Sequence, residues 1–256
     1  MPARSIRLGD AEVPRIGLGT NRLSHTSEHV SFVREAVAAG IGHIDTAHLY
    51  AGGDSETTIG AALTPMPESL VVATKGGYYP GEGRPDVLRA QIDESLRRLR
   101  TDAIGLYYLH RVDPDTPLED SVGAIKEARD AGKVRHVGMS AVDVDQIERA
   151  RRVVPIAAVQ NHYNLSERRY EDVVDHCAHE GIVFVPYFPL RGARPPALTR
   201  IAERHGATPA TIALAWLLRR SPTTLPIPGT LSLDHVRENL RALEIELRDE
   251  EFEALR

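Results

Sequence analysis

Short apolar runs alternate with longer amphipathic stretches along the whole chain. The runs at residues 16–19, 43–46, 70–75, 104–109, 134–139, 157–160, 182–186 and 224–227 predict eight strands. Several are nearly continuous in Val, Ile and Leu, the pattern of parallel strands covered on both faces. Helical spacing falls between and after them, over 30–39, 55–63, 86–99, 117–131, 144–152, 168–179, 209–219 and 233–243. Ser27 is the expected N-cap of the first helix and Gly40 its stop. Strand then helix, eight times without a linker, predicts a single domain over residues 1–256. The fold class is α/β, a (β/α)8 TIM barrel, which runs to about 250 residues. An open doubly wound sheet is the competing arrangement. Gly9-Asp10 is a turn pair inside 5–13 and predicts an N-terminal β-hairpin plug below the barrel. A further helix over 197–204, set off from the next by Gly206, predicts an insertion before the eighth strand. Residues 194–196 read as a loop and 249–256 as a terminal helix.

The chain has 256 residues, 42% hydrophobic and 26% charged, an ordinary globular balance. A net charge of −5 gives no electrostatic footprint for nucleic acid or an anionic membrane. The single cysteine, Cys177, excludes an internal disulfide and fits a reducing compartment. The first residues lack a signal-type apolar core, and no run approaches the roughly twenty apolar residues of a spanning helix. A cytoplasmic protein is expected, with no nucleic-acid or membrane partner and its oligomeric state open.

Three of the predicted strands end on chemistry. One closes on Asp45, with Tyr50 shortly beyond; the next closes on Lys75; the third is followed by His110. Carboxyl ends of strands form the active face of a barrel. Singly, each residue has a bland role: a helix cap, a half-buried ring, a snorkelling amine. Together they suit protonation of an oxygen. Tyr50 would give the proton, and the Lys75 ammonium would lower the phenol from its usual value near 10. A buried cation is costly without a carboxylate, which Asp45 supplies. His110 would orient the substrate oxygen. Completing a carbonyl reduction takes a hydride that no side chain provides, which implies a nicotinamide.

Two other uses of these residues compete: a Schiff-base lyase with Lys75 as nucleophile, and a non-catalytic nicotinamide-binding regulatory subunit. Asp45 would hinder the lyase by keeping the amine charged. The stretch 175–179, with His176, Cys177 and His179, lacks a four-ligand metal set. Arg97-Arg98-Leu99-Arg100 reads as a solvated helix end.

Ile44-Asp45-Thr46-Ala47-His48-Leu49-Tyr50 resembles the signature of the aldo-keto reductases. Gly17-Leu18-Gly19-Thr20, Val72-Ala73-Thr74-Lys75 and Leu106-Tyr107-Tyr108-Leu109-His110 are similar to it in order. So are Gly138-Met139-Ser140, Gln160-Asn161-His162-Tyr163-Asn164-Leu165 and Ile227-Pro228-Gly229-Thr230 with Glu238-Asn239. The resemblance covers essentially the whole chain. It implies a catalytic tetrad of Asp45, Tyr50, Lys75 and His110, with Tyr50 as general acid. It also implies a small-molecule carbonyl substrate and NADPH as donor, with NADH as the alternative. The dinucleotide would be held without a Rossmann fingerprint, since Arg22 stands where a third glycine would be.

The resemblance further implies Gly19, Thr20, Asn21 and Asp45 along the nicotinamide, Ser140 and Gln160 at its carboxamide, and Tyr187 stacked on its ring. Phe188, Pro189, Leu190 and Gly192 form the cofactor loop that follows. Ile227, Gly229, Thr230 and His235 would meet the adenosine phosphate, and Glu238 and Asn239 the adenine. This chain departs from the pattern at several places. Ala141 stands where Asn is usual, at a cost of about 1 kcal/mol for one hydrogen bond. Phe188 and Arg191 replace small residues, and Arg191 offers charge. Gly229 and His235 stand where many members carry cations, which weakens the preference for a 2′-phosphate, although Arg237 is nearby. A short loop after His110 and a short run after Asn239 predict an open, shallow pocket of modest selectivity. Residues 181–190 are similar to bacterial members that interconvert pyridoxal and pyridoxine.

Overall fold

The structure, a computed structural model, describes residues 3–192 and 195–255. Arg194 of the predicted loop and Arg256 of the predicted terminal helix lie outside the described residues. The chain opens with the hairpin β1 (Ser5–Leu8) and β2 (Ala11–Pro14), turned at Gly9 with φ +65. Seven parallel strands follow, each hydrogen-bonded to the next in chain order. They are β3 (Leu18–Gly19), β4 (His43–Asp45), β5 (Val71–Gly76), β6 (Ile104–Leu109), β7 (Val134–Ser140), β8 (Ile156–His162) and β9 (Val183–Tyr187).

The eighth staves position is filled by residues 224–229. Leu225 N donates to Phe184 O at 2.8 Å on one side, and Gly17 N donates to Pro226 O at 3.0 Å on the other. Gly19 N donates to Pro228 O at 3.3 Å. The predicted eighth strand is therefore a bridging segment and not a full ladder. Pro226 and Pro228 have no N–H to give, so they contribute carbonyls only. The barrel closes, and the open doubly wound alternative is wrong.

Alternation along the strands builds two cores. Side chains facing inward (Val71, Ala73, Leu106, Tyr108, Val183, Val185) form one cluster with Leu8 and Val13 of the hairpin. The hairpin thus stops the amino-terminal end of the barrel, and Asp10 Oδ1 meets His136 Nε2 there at 3.0 Å. Outward-facing Val72, Tyr107, Leu109, Val137 and Val159 pack under the helices in the larger cluster. Those helices are α1 (Ser27–Ala38), α2 (Asp54–Leu63), α3 (Pro85–Leu99), α4 (Leu118–Asp130), α5 (Val144–Arg151) and α6 (Glu171–Glu180). After β9 come α7 (Pro196–Arg204), α8 (Pro209–Arg220), α9 (Leu233–Leu240) and α10 (Asp249–Glu253).

Local chemistry explains several boundaries. Thr26, not Ser27, caps α1, its hydroxyl accepting from His29 N at 3.2 Å. Asp143 and Gln146 form a capping box on α5. Pro85 starts α3 where no intrahelical donor is needed. Strands β7 and β8 run further than the apolar pattern, because they continue through polar Ser140 and through Gln160 to His162 at the barrel mouth. Among the described residues no helix is long and apolar enough to cross a membrane.

Candidate active site

The strand register that fills the core also sets the polar ends. Asp45 lies across from Ala73, Lys75 from Tyr108, and Ser140 from Gln160. Asp45 and Lys75 therefore sit one layer above the apolar interior, on neighbouring strands. Lys75 Nζ donates to Asp45 Oδ1 at 2.6 Å and to the Thr46 carbonyl at 2.7 Å. The second Asp45 oxygen accepts from Gln160 Nε2 at 2.7 Å. Lys75 is 0% exposed. Burial pulls its pKa down, yet the Asp45 charge and contacts with Asp45 and Tyr50 more than compensate and leave it above the usual lysine value. The ammonium survives burial because its carboxylate is in place.

Tyr50 begins a 3-10 turn, Tyr50–Gly53, in which Ala51, Gly52 and Gly53 take left-handed backbone angles. The turn folds back over the mouth and leaves Lys75 Nζ 5.3 Å from the centroid of the Tyr50 ring. The net direction of the Tyr50 pKa is a correction to the sequence reading. Burial raises it, the Lys75 charge opposes that, and burial prevails. Tyr50 is thus a protonated phenol at neutral pH, which is the form an acid needs. His110 stands edge-on to Tyr50 with ring centroids 6.2 Å apart. Burial, followed by the Lys75 and Arg111 charges, pushes its pKa down to about 2. It is a neutral imidazole, able to donate from one ring nitrogen only.

The turn that carries Tyr50 is pinned from outside the barrel. Arg98 of α3 donates to the His48 carbonyl at 3.0 Å and to Glu56 Oε2 at 3.2 Å. Glu56, fully buried at the start of α2, accepts from the Thr74 hydroxyl at 2.6 Å, one residue before Lys75. Arg98 also lies against Gly53, where an added Cβ would stand 2.3 Å from its Cζ. Arg98 is thus no solvated helix end, contrary to expectation. One buried network ties the Tyr50 loop to the strand of Lys75. Sequence reasoning missed Arg98 and Glu56 because Asp and Glu in a first helical turn, and Arg in a last, are ordinary on solvent faces.

A cavity of about 500 Å³ opens above the tetrad. Asp45, Tyr50 and His110 line it, as do Gly19, Thr20, Asn21, Ser140, Gln160, Tyr187, Phe188, Pro189, Leu190, Ile227 and Gly229. Lys75 lies beneath it, and Gly192, Thr230, His235, Glu238 and Asn239 do not line it. Thr230 and His235 meet each other, Oγ1 to Nδ1 at 3.3 Å, and Asn239 is buried on α9. Arg237 is paired with Asp234 at 3.1 Å.

The cavity's walls suit a dinucleotide. Gly19 and Gly229 leave the backbone bare along one side; a Cβ on Gly19 would fall 2.7 Å from the Ile227 carbonyl. Arg22 donates to the Gly229 carbonyl at 2.6 Å, and Arg191 stands 5.2 Å from the Phe188 ring centroid. His162 stacks on the half-buried Tyr187 ring at 5.4 Å and 11°. Tyr78 and Arg111, which also line the cavity, and His162 behind Tyr187 carry no role in the sequence reading. Two non-glycine residues here hold left-handed angles: Ala141, φ 56, and Phe188, φ 52.

The family model described as the Aldo/keto reductase family matches residues 15–256. Pyridoxine 4-dehydrogenase of Escherichia coli is 36% identical over 280 residues, covering 100% of this chain and 98% of that one. An aldo-keto reductase from Klebsiella pneumoniae, solved in complex with NADPH, superposes with a TM-score of 0.90 at 31% identity. That match covers 100% of this chain and 94% of the other. A thermostable aldo-keto reductase bound to the inhibitor epalrestat gives a TM-score of 0.89 at 34% identity, covering 98% of each chain. The chain belongs to the aldo/keto reductase family.

Proposed function

We propose that this chain reduces an aldehyde or ketone to the alcohol with NADPH as hydride donor and Tyr50 as general acid. The observation that carries the reading is the buried Lys75 ammonium, held 2.6 Å from Asp45 and 5.3 Å from the Tyr50 ring beneath the cavity. Tyr50 keeps its proton at neutral pH and delivers it to the substrate oxygen. Negative charge then develops on the phenolate, where Lys75 stabilises it. Asp45 keeps Lys75 charged, and neutral His110 donates a hydrogen bond to the same oxygen and orients it.

The wall residues fit the nucleotide. Gln160 spends its amide N–H on Asp45, which leaves its carbonyl oxygen for a carboxamide donor beside Ser140. Tyr187, backed by His162, offers a flat face, and Arg22 and Arg191 offer positive charge for phosphates. The bound nucleotide supplies the hydride. The complex of the Klebsiella neighbour with NADPH supports that choice of donor. The name of the Escherichia coli relative makes pyridoxal and pyridoxine the first pair to try.

The Schiff-base reading loses support from the same geometry. Lys75 is shut off from the cavity and kept charged, so it has no free lone pair to attack a carbonyl. A panel of aldehydes and ketones, followed through the absorbance of NADPH and separately of NADH, tests the proposal. Turnover with NADPH preferred is the expected result. Absence of nucleotide oxidation with every carbonyl, together with borohydride trapping of a Lys75 adduct, would overturn it.

A further inference from the structure

We propose that Arg111 is a specificity-determining residue that selects carbonyl substrates bearing an anionic group, carboxylate or phosphate, about one aromatic ring's width from the reacting carbonyl. The inference rests on the reductase reading and names the substrate class for that same cavity. Arg111 directly follows His110, and its own N–H is fixed to the Gly77 carbonyl at 3.1 Å. Its guanidinium lies 4.5 Å from the centroid of Tyr78 and donates to the Tyr78 hydroxyl at 3.2 Å. Tyr78 in turn packs on His110 with centroids 4.8 Å apart. All three side chains line the cavity. Tyr78 therefore spaces a cation away from the substrate-orienting imidazole and holds it there by stacking. A guanidinium fixed in this way loses less freedom on binding a carboxylate or phosphate than a mobile amine would.

The charge pattern at the mouth supports the same reading. The guanidinium of Arg111 packs on and hydrogen-bonds a neutral partner, Tyr78, which leaves its charge uncompensated by that contact. Asp45, the one acid among the described residues that line the cavity, is neutralised by Lys75. Arg22 and Arg191 stand beside Gly229 and Phe188, on the arm suited to the nucleotide phosphates. Arg111 stands on the Tyr50 and His110 side, where the nucleotide needs no further cation. The overall charge is −5, so this positive rim is local. Selection by charge is also compatible with a pocket open to substrates of many sizes.

The test compares two matched pairs: 4-carboxybenzaldehyde with its neutral methyl ester, and glyceraldehyde 3-phosphate with glyceraldehyde. The expected result is a kcat/KM preference of about tenfold for the anionic member of at least one pair at low salt, carried by KM and shrinking as salt is added. The pair that shows it identifies the group. Arg111→Gln should bring that ratio close to one, and Arg111→Lys should keep part of it. No preference in either pair, or a preference that Arg111→Gln leaves intact, would overturn the assignment. If no carbonyl is turned over, the reductase reading fails separately, and calorimetry on the NADP+-loaded protein decides. Tighter binding of 4-carboxybenzyl alcohol than of its methyl ester, abolished in Arg111→Gln, supports the anion site. Equal binding of the two overturns it.

Discussion

Lys75 Nζ lies 2.6 Å from Asp45 Oδ1, with 0% and 3% of the two side chains exposed. Taking either partner away leaves an uncompensated buried charge. Asp45→Asn is expected to destabilise the fold by about 3–5 kcal/mol. The double variant Asp45→Asn with Lys75→Met should lose much less than the two single losses added together. Urea denaturation of the four proteins measures this, and simple additivity would show that the pair is not coupled.

Burial sets a pH dependence through His110. Its pKa falls to about 2 in the fold, against an ordinary value of about 6.5. Between those limits the unfolded chain binds a proton that the native chain refuses, so stability falls as pH drops below about 6.5. The contribution of this residue is up to about 1.4 kcal/mol per pH unit. His110→Gln removes it. Its unfolding free energy should decline less steeply from pH 6.5 to 5 than that of the parent; parallel declines would count against a neutral buried imidazole.

Arg98 reaches the Tyr50 turn without entering the cavity. Arg98→Gln is expected to lower kcat about tenfold, equivalent to about 1.4 kcal/mol, while nucleotide affinity stays close to the parent. Thr74→Val, which removes the Glu56 contact from the Lys75 strand, should shift kcat in the same direction. An unaltered kcat, or an equal loss of nucleotide binding, would separate this network from the acid.

Ala141 holds φ 56 beside Ser140, a conformation that costs a residue with a Cβ roughly 1–2 kcal/mol. Asparagine tolerates that region and would bring an amide to the cavity wall. Ala141→Asn should therefore tighten nucleotide binding by about fivefold, the worth of one hydrogen bond near 1 kcal/mol. Fluorescence titration reads it directly, and an unchanged Kd would mean that the amide finds no partner.

The barrel was legible because alternation and burial act locally. Residues 43–46, 70–75 and 104–109 showed their apolar faces, and the polar residues at or just after their ends are Asp45, Lys75 and His110, which the register brings to one mouth. The eighth stave was harder, since Pro226 and Pro228 look apolar yet cannot extend a ladder. Arg98 and Glu56 were illegible: they meet across 42 residues, and nothing local distinguishes them from solvated charges. The direction of the Tyr50 pKa was also out of reach. It depends on a contest between burial and the Lys75 charge that only the folded arrangement decides. His162 was quoted as part of a motif, but its stacking on Tyr187 follows from a strand longer than the apolar run.

Single-turnover carbonyl reduction by Tyr50→Phe and by the parent protein, both saturated with NADPH, reads whether Tyr50 gives the proton. The expected result is a slowing of about 10²–10⁴-fold in the variant, with NADPH affinity nearly unchanged. Equal rates in the two proteins would contradict it.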